Sequence, residues 1–121
     1  MSLFPARKDF ALATGQAAEQ AALDYLVQQG LTLVQRNFRC RHGEIDLIMQ
    51  HHAALVFVEV RKRASARYGG AAASITASKQ ARLITAAQIY LQQYRHPPAC
   101  RFDAVAIEKE KIIWLQNVID S

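Results

Sequence analysis

The chain has no apolar run approaching the ~20 residues that a bilayer-spanning helix needs, so a helical membrane protein is excluded. Its first residues, MSLFPARKDFALATG, carry two early basic side chains but no long apolar segment. That pattern argues against a secretory signal. Cysteine is nearly missing: Cys40 and Cys100 are the only two, and they lack the paired spacing of a disulfide framework or a zinc site. The expectation is a reduced, cytoplasmic protein. Repeats and low-complexity stretches are absent as well. Acidic residues are in short supply, with 10 Asp and Glu against 15 Lys and Arg. The resulting pI of about 9.6 fits an ordinary basic surface and equally a polyanionic partner such as nucleic acid.

What is present suffices for one core. Hydrophobic residues make up 51% of 121 positions, which predicts a single domain over residues 14–121 behind a short N-terminal arm, residues 1–13. Thr14 to Gln29 reads as a helix, with Ala18, Ala22, Tyr25 and Leu26 on one stripe and Gly30 as its stop. Leu31 to Phe38, Glu44 to Met49 and Ala54 to Arg61 read as strands, the last two joined by a turn at Gln50-His51-His52. A second helix is expected after a Ser78 cap, with Leu83, Ala87, Tyr90, Leu91 and Tyr94 as its apolar stripe. Pro97 and Pro98 forbid its continuation. Phe102 to Ile107 and Ile112 to Leu115 complete the set. The order is helix, three strands, helix, two strands. It predicts an α/β fold with a mixed central sheet flanked by helices.

The chemistry concentrates in GEIDLIMQHHAALVFVEVRKR, residues Gly43 to Arg63. By simple alternation, Glu44, Asp46 and Ile48 share one face, and Ile45, Leu47 and Met49 the other. In the next strand Glu59 and Arg61 share a face, while Lys62 points away from it. Both faces of that strand are apolar for most of its length, as in the middle of a sheet. An acid in such a strand is costly unless paired or coordinated. Antiparallel pairing brings Asp46 and Glu59 together, and their repulsion is the kind that a divalent cation relieves. Two acids, a cation and a metal form a minimal set for attacking a phosphodiester. The plainer alternative is a surface ion pair between Glu59 and Arg61, with Asp46 in a polar edge. Glu19 lies at the edge of the first helix's packed face, within reach of the same site or else solvated. Lys79, unfavourably placed at a helix N-terminus, calls for a phosphate or carboxylate nearby.

Gly43-Glu44-Ile45-Asp46-Leu47-Ile48, Val56-Phe57-Val58-Glu59-Val60-Arg61, Ser78-Lys79 and Arg101-Phe102-Asp103-Ala104-Val105 together resemble the YraN-like family of small bacterial proteins. The resemblance runs from about Gly15 to Ile119. That family is similar to the Holliday-junction-resolvase branch of the restriction-endonuclease-like superfamily, the PD-(D/E)XK nucleases. The resemblance implies a restriction-endonuclease-like fold and a Mg²⁺ (or Mn²⁺) site. Asp46 and Glu59 would be the motif acids and metal ligands, and Glu19 the acid of the first helix. Arg61 stands where those nucleases carry lysine. Arginine stays charged and can bind and stabilise but not shuttle a proton, so Lys79 is the candidate for a relocated lysine.

Arg36, Arg39 and Arg41 precede the first motif, and Lys62, Arg63 and Arg67 follow the second. They form two basic clusters suited to a DNA backbone. Tyr68-Gly69-Gly70 is expected to be a flexible loop. His42, His51 and His52 are expected at the surface, Asp103 in a structural role, and Trp114 in the core. The leading expectation is a Mg²⁺-dependent endonuclease acting on DNA, branched DNA included. The alternative is a non-catalytic nucleic-acid-binding module on the same fold, with a protein-interaction scaffold behind it. A homodimer follows from the analogy to resolvases, although no heptad or apolar stripe specifies one.

Overall fold

We describe the protein from a computed structural model covering residues 14–63 and 75–119, the side chains of Thr14 and Arg63 excepted. The N-terminal arm, Arg67 and the Tyr68-Gly69-Gly70 loop lie outside the described residues. The elements are α1 (Thr14–Gln28), β1 (Thr32–Cys40), β2 (Gly43–His51), β3 (Ala54–Arg63), α2 (Ala77–Leu91), β4 (Cys100–Glu108) and β5 (Lys111–Leu115). This is the expected order. The five strands form one sheet in the order β1-β2-β3-β4-β5. All neighbours are antiparallel except β3 and β4, which run parallel. A parallel neighbour requires a crossover, and α2 lies within it.

Local chemistry sets the element ends. Gly30, at φ 102, closes α1 in a left-handed conformation. Its N–H donates to Val27 O, and Leu31 N–H reaches back to Leu26 O, both at 3.0 Å. Leu26 and Leu31 then pack in the same cluster, the apolar contact that accompanies this kind of stop. Thr76, not Ser78, caps α2: its Oγ1 accepts from Lys79 N at 3.1 Å. The helix ends at Leu91, well before the two prolines. The β2–β3 turn is tighter than expected. His51 pairs with Ala54, leaving His52 and Ala53 as the loop. His52 adopts φ 58, a conformation more often given to glycine.

Each helix covers one face of the sheet. Under α1, Ala18, Ala22 and Leu26 pack on Leu47, Met49, Val56, Val58, Val105 and Ile107. Under α2, Leu83, Ala86 and Tyr90 pack on Ile45, Ile48, Leu55, Phe57 and Phe102. Val56, Phe57 and Val58 are at most 1% exposed, so β3 is buried on both faces as expected. One expectation fails. Ile45 does not share a face with Leu47 and Met49; it packs under α2 while they pack under α1. The neighbouring strand changes face at the same level. Arg36 reaches Gln20 of α1, whereas Phe38 meets Tyr90 of α2 with ring centroids 5.3 Å apart. Between them Asn37 sits at φ 52. A left-handed residue rotates the strand and breaks the alternation.

Asp103 has the structural role expected of it. Its carboxylate, 1% exposed, accepts from Arg101 Nε at 3.0 Å, Trp114 Nε1 at 2.9 Å and the Asn117 backbone N–H at 2.9 Å. It thereby ties β4 to β5 and to the chain beyond. Trp114 is half-buried: its ring packs against Tyr25 and its N–H serves Asp103. Removing one partner of a buried, hydrogen-bonded ion pair strands the others. Asp103→Ala is therefore expected to cost about 3–5 kcal/mol in urea denaturation. A loss below about 1 kcal/mol would show that the network does not hold these strands.

Candidate functional site

The site begins with an interrupted ladder. β2 and β3 pair residue by residue from His51↔Ala54 to Leu47↔Val58, and the register stops there although both strands continue. The next position on β2 is Asp46. Its Oδ2 accepts the Val60 backbone N–H at 2.8 Å, taking a place that a strand carbonyl would normally fill. Beside this junction lies a cavity of about 490 Å³. Glu44 and Asp46 of β2 line it, with Glu59, Val60 and Lys62 of β3. Gly15, Ala18 and Glu19 of α1 form one flank, and Lys79, Arg82 and Leu83 of α2 the other.

Four of these wall residues are acids, and the electrostatics register it. Burial pushes the Asp46 carboxyl up from 3.8 to about 7. The Val60 N–H opposes that shift, and the charges of Glu59, Glu19 and Glu44 add to it. Glu59 is buried, at 5% exposed, and is met by two cations. Lys79 Nζ stands 2.9 Å and Arg61 Nη1 3.5 Å from its Oε2. The carboxylate that Lys79 needs at the start of α2 is therefore Glu59. Glu19 is less well served. Its Oε1 is buried without a hydrogen bond, and Arg36 Nη2 stands 3.9 Å away, near enough for an ion pair but too far to donate.

The fold brings Asp46, Glu59, Glu19 and Lys79 together around one cavity. Arg61 is not among the walls and touches the site through Glu59. Lys62, expected to point away, lines the cavity after all, because the gap between β2 and β3 opens it to residues from both faces of β3. Arg36 is half-buried between Glu19 and Gln20, and Arg39 pairs with Glu44 at 3.3 Å. Arg41 and His42 are exposed in the β1–β2 turn, and Arg63 ends β3. His51 lies at the far end of β2, half-buried rather than at the surface, with Nδ1 3.0 Å from Arg101 Nη2. Desolvation, then the Arg101 charge, lowers its pKa. Sequence reasoning missed Arg82. Its spacing of three from Lys79 was the available signal.

Among the described residues no three His, Cys, Asp or Glu side chains stand close enough together to enclose a metal ion. The donor set still fits a hard cation that keeps most of its water. Two acids, Asp46 and Glu59, face one cavity, and the buried Oε1 of Glu19 is left for a water-mediated contact.

Residues 18–107 match the uncharacterised protein family UPF0102. The chain belongs to that family. The UPF0102 protein of Herminiimonas arsenicoxydans is 61% identical over 107 residues, covering 88% of this chain and 86% of the relative. That of Janthinobacterium sp. (strain Marseille) is also 61% identical over 107 residues, covering 88% and 87%. The relative from Nitrosomonas europaea is 54% identical over 109 residues, covering 88% and 92%. The UPF0102 match spans every wall of the cavity except Gly15.

The Asp46 carboxyl makes stability depend on pH. Its folded pKa of about 7 lies above the unfolded 3.8. The contribution of Asp46 to stability is therefore most favourable below about pH 4 and is lost as pH rises to about 7. Asp46→Asn keeps an acceptor for Val60 N–H without the charge. It is expected to be more stable at pH 8 by about 1–2 kcal/mol in urea denaturation without divalent cations, a figure discounted for residual solvation. The gain should vanish near pH 4. A gain independent of pH would contradict this account of Asp46.

Proposed function

We propose that this protein is a metal-dependent endonuclease that hydrolyses DNA phosphodiesters, with branched DNA as the expected substrate. The observation that carries the reading is the half-buried Asp46, held in the gap between β2 and β3 by the Val60 N–H, with its carboxyl pushed up to about 7. Beside it, Glu59 is bracketed by Lys79 and Arg61. An aspartate does not need that environment to stabilise a sheet. The same environment suits a group that binds a cation or takes a proton near neutral pH. The basic surplus and the family resemblance support nucleic acid as the substrate.

Asp46 and Glu59 would hold a Mg²⁺ or Mn²⁺ ion, with Glu19 contributing through water. Such an ion, when bound, polarises the scissile phosphate and makes hydroxide available from water. The chain's own residues do the rest. The Val60 N–H fixes Asp46 Oδ2 and so orients the carboxylate. Lys79 and Arg61 hold Glu59 in place, and Lys79, which lines the cavity, would present positive charge where a pentacovalent phosphate accumulates negative charge. Leu83 and Ala18 add apolar patches to an otherwise charged wall.

One observation favours the second reading, a non-catalytic nucleic-acid-binding module. Glu59 already has two cationic partners, which weakens its claim to a metal. Incubating the protein with labelled four-way-junction and linear DNA, in Mg²⁺ or Mn²⁺, separates the two. The nuclease reading expects metal-dependent cleavage that falls at least about a hundredfold in Asp46→Asn and Glu59→Gln, while binding persists. Salt-sensitive binding with no cleavage by the wild type favours the module. Cleavage indifferent to Asp46→Asn would sink the proposed site.

A further inference from the structure

We propose that Arg82 is the substrate-positioning cation of this cavity, binding a backbone phosphate of the DNA, and that Gly43 sets its place. The inference rests on reading the cavity as a phosphodiester site and goes beyond it by assigning the contact that draws the substrate in. Four acids line the cavity: Glu19, Glu44, Asp46 and Glu59. An approaching phosphate is repelled unless a cation not consumed by those acids meets it. Most of the nearby cations are already engaged. Lys79 and Arg61 hold Glu59, Arg36 holds Glu19 and Gln20, and Arg39 holds Glu44.

Arg82 differs. It is exposed, it lines the same cavity, and among the described residues no hydrogen bond or ion pair engages it. It stands three residues after Lys79 on α2, so the two project from the same side of the helix. A guanidinium stays charged and can grip a phosphate with two parallel hydrogen bonds.

The backbone gives this arginine a fixed relation to the acids. A Cβ on Gly43 would lie 2.7 Å from the Arg82 carbonyl oxygen. Only glycine lets α2 approach the start of β2 this closely. Gly43 is three residues before Asp46 on β2, so this close approach, together with the packing of Leu83, Ala86 and Tyr90 on Ile45 and Ile48, seats the helix that carries Lys79 and Arg82 beside the strand that carries Asp46.

The test is binding of a fluorescent DNA duplex and a four-way junction, titrated with salt, with Ca²⁺ in place of Mg²⁺. Arg82→Ala is expected to weaken binding about tenfold. It should also make the log–log salt dependence on duplex shallower by about 0.9, the equivalent of one phosphate. Arg82→Lys should restore the slope and only part of the affinity. In Mg²⁺, Arg82→Ala should raise KM with kcat near wild type, and its thermal midpoint should not move. Gly43→Ala should lose affinity with the guanidinium still present, and wild-type affinity there would overturn the role of Gly43. An Arg82→Ala protein with an unchanged salt slope overturns the inference about Arg82 and leaves the nuclease reading standing. A wild type that binds no DNA overturns both.

Discussion

A single hydrogen bond organises this molecule: the Val60 N–H donated to the Asp46 carboxylate. A continued ladder would have joined β2 and β3 past Leu47↔Val58 through backbone groups alone. Here a side chain takes over the acceptor's place. The ladder stops, a cavity opens beside it, and a carboxylate is left partly desolvated between two helices. Lys62 and Glu19 line the cavity that opens there, and burial beside it raises the Asp46 pKa against the lowering effect of the Val60 N–H. The charge is costly, because the N–H lowers the carboxyl's pKa less than burial and neighbouring acids raise it. The surrounding sheet, nearly solvent-free at Val56, Phe57 and Val58, is what sustains the cost.

Much of this was legible in the sequence. Helical stripes and strand runs set the element order, and both acids of the site could be named because each interrupts an apolar strand. The features that escaped share a physical cause. Alternation assumes a regular ladder, and Asn37 at φ 52 breaks it in β1 while Asp46 breaks it in β2. Nothing local announces either event: asparagine occupies ordinary strands, and the Asp46 acceptor is satisfied by a residue 14 positions away. Ile45 was therefore assigned to the wrong face, and the access of Lys62 to a cavity open to both faces of β3 was missed. The cap moved from Ser78 to Thr76 because both hydroxyls suit the role and only the path of the preceding chain separates them.

The two ends of the sheet use shielded carboxylates in opposite ways. Asp103 receives donors from Arg101, Trp114 and Asn117, enough to satisfy both oxygens, and it joins strands. Asp46 receives one backbone donor and faces three other acids. Asp103 is fully buried and Asp46 only half-buried, and their satisfaction differs as well. A fully satisfied carboxylate rigidifies its surroundings, whereas one with spare acceptor capacity and adverse neighbours is poised to take a cation or a proton.

The arginine at position 61 looks like a defect only if the strand alone must supply the cation. In the folded chain Glu59 is approached from two directions, by Arg61 along its own strand and by Lys79 from the first turn of α2. The lysine is the closer of the two. Its helix packs on the sheet through Leu83, Ala86 and Tyr90, and Gly43 permits its close approach to β2, so the ammonium stands near the strand that bears Asp46 as well as the one that bears Glu59. A cation delivered by a helix is coupled to helix docking in a way that a strand residue is not. Any displacement of α2 along β2 separates Lys79 from Glu59 and shifts Arg82 in the same step, while Arg61 stays where β3 holds it. The glycine that opens the GEID segment and the acid that closes it therefore belong to one arrangement: the first leaves room for the helix that bears Lys79 and Arg82, the second caps the open end of the β2–β3 ladder.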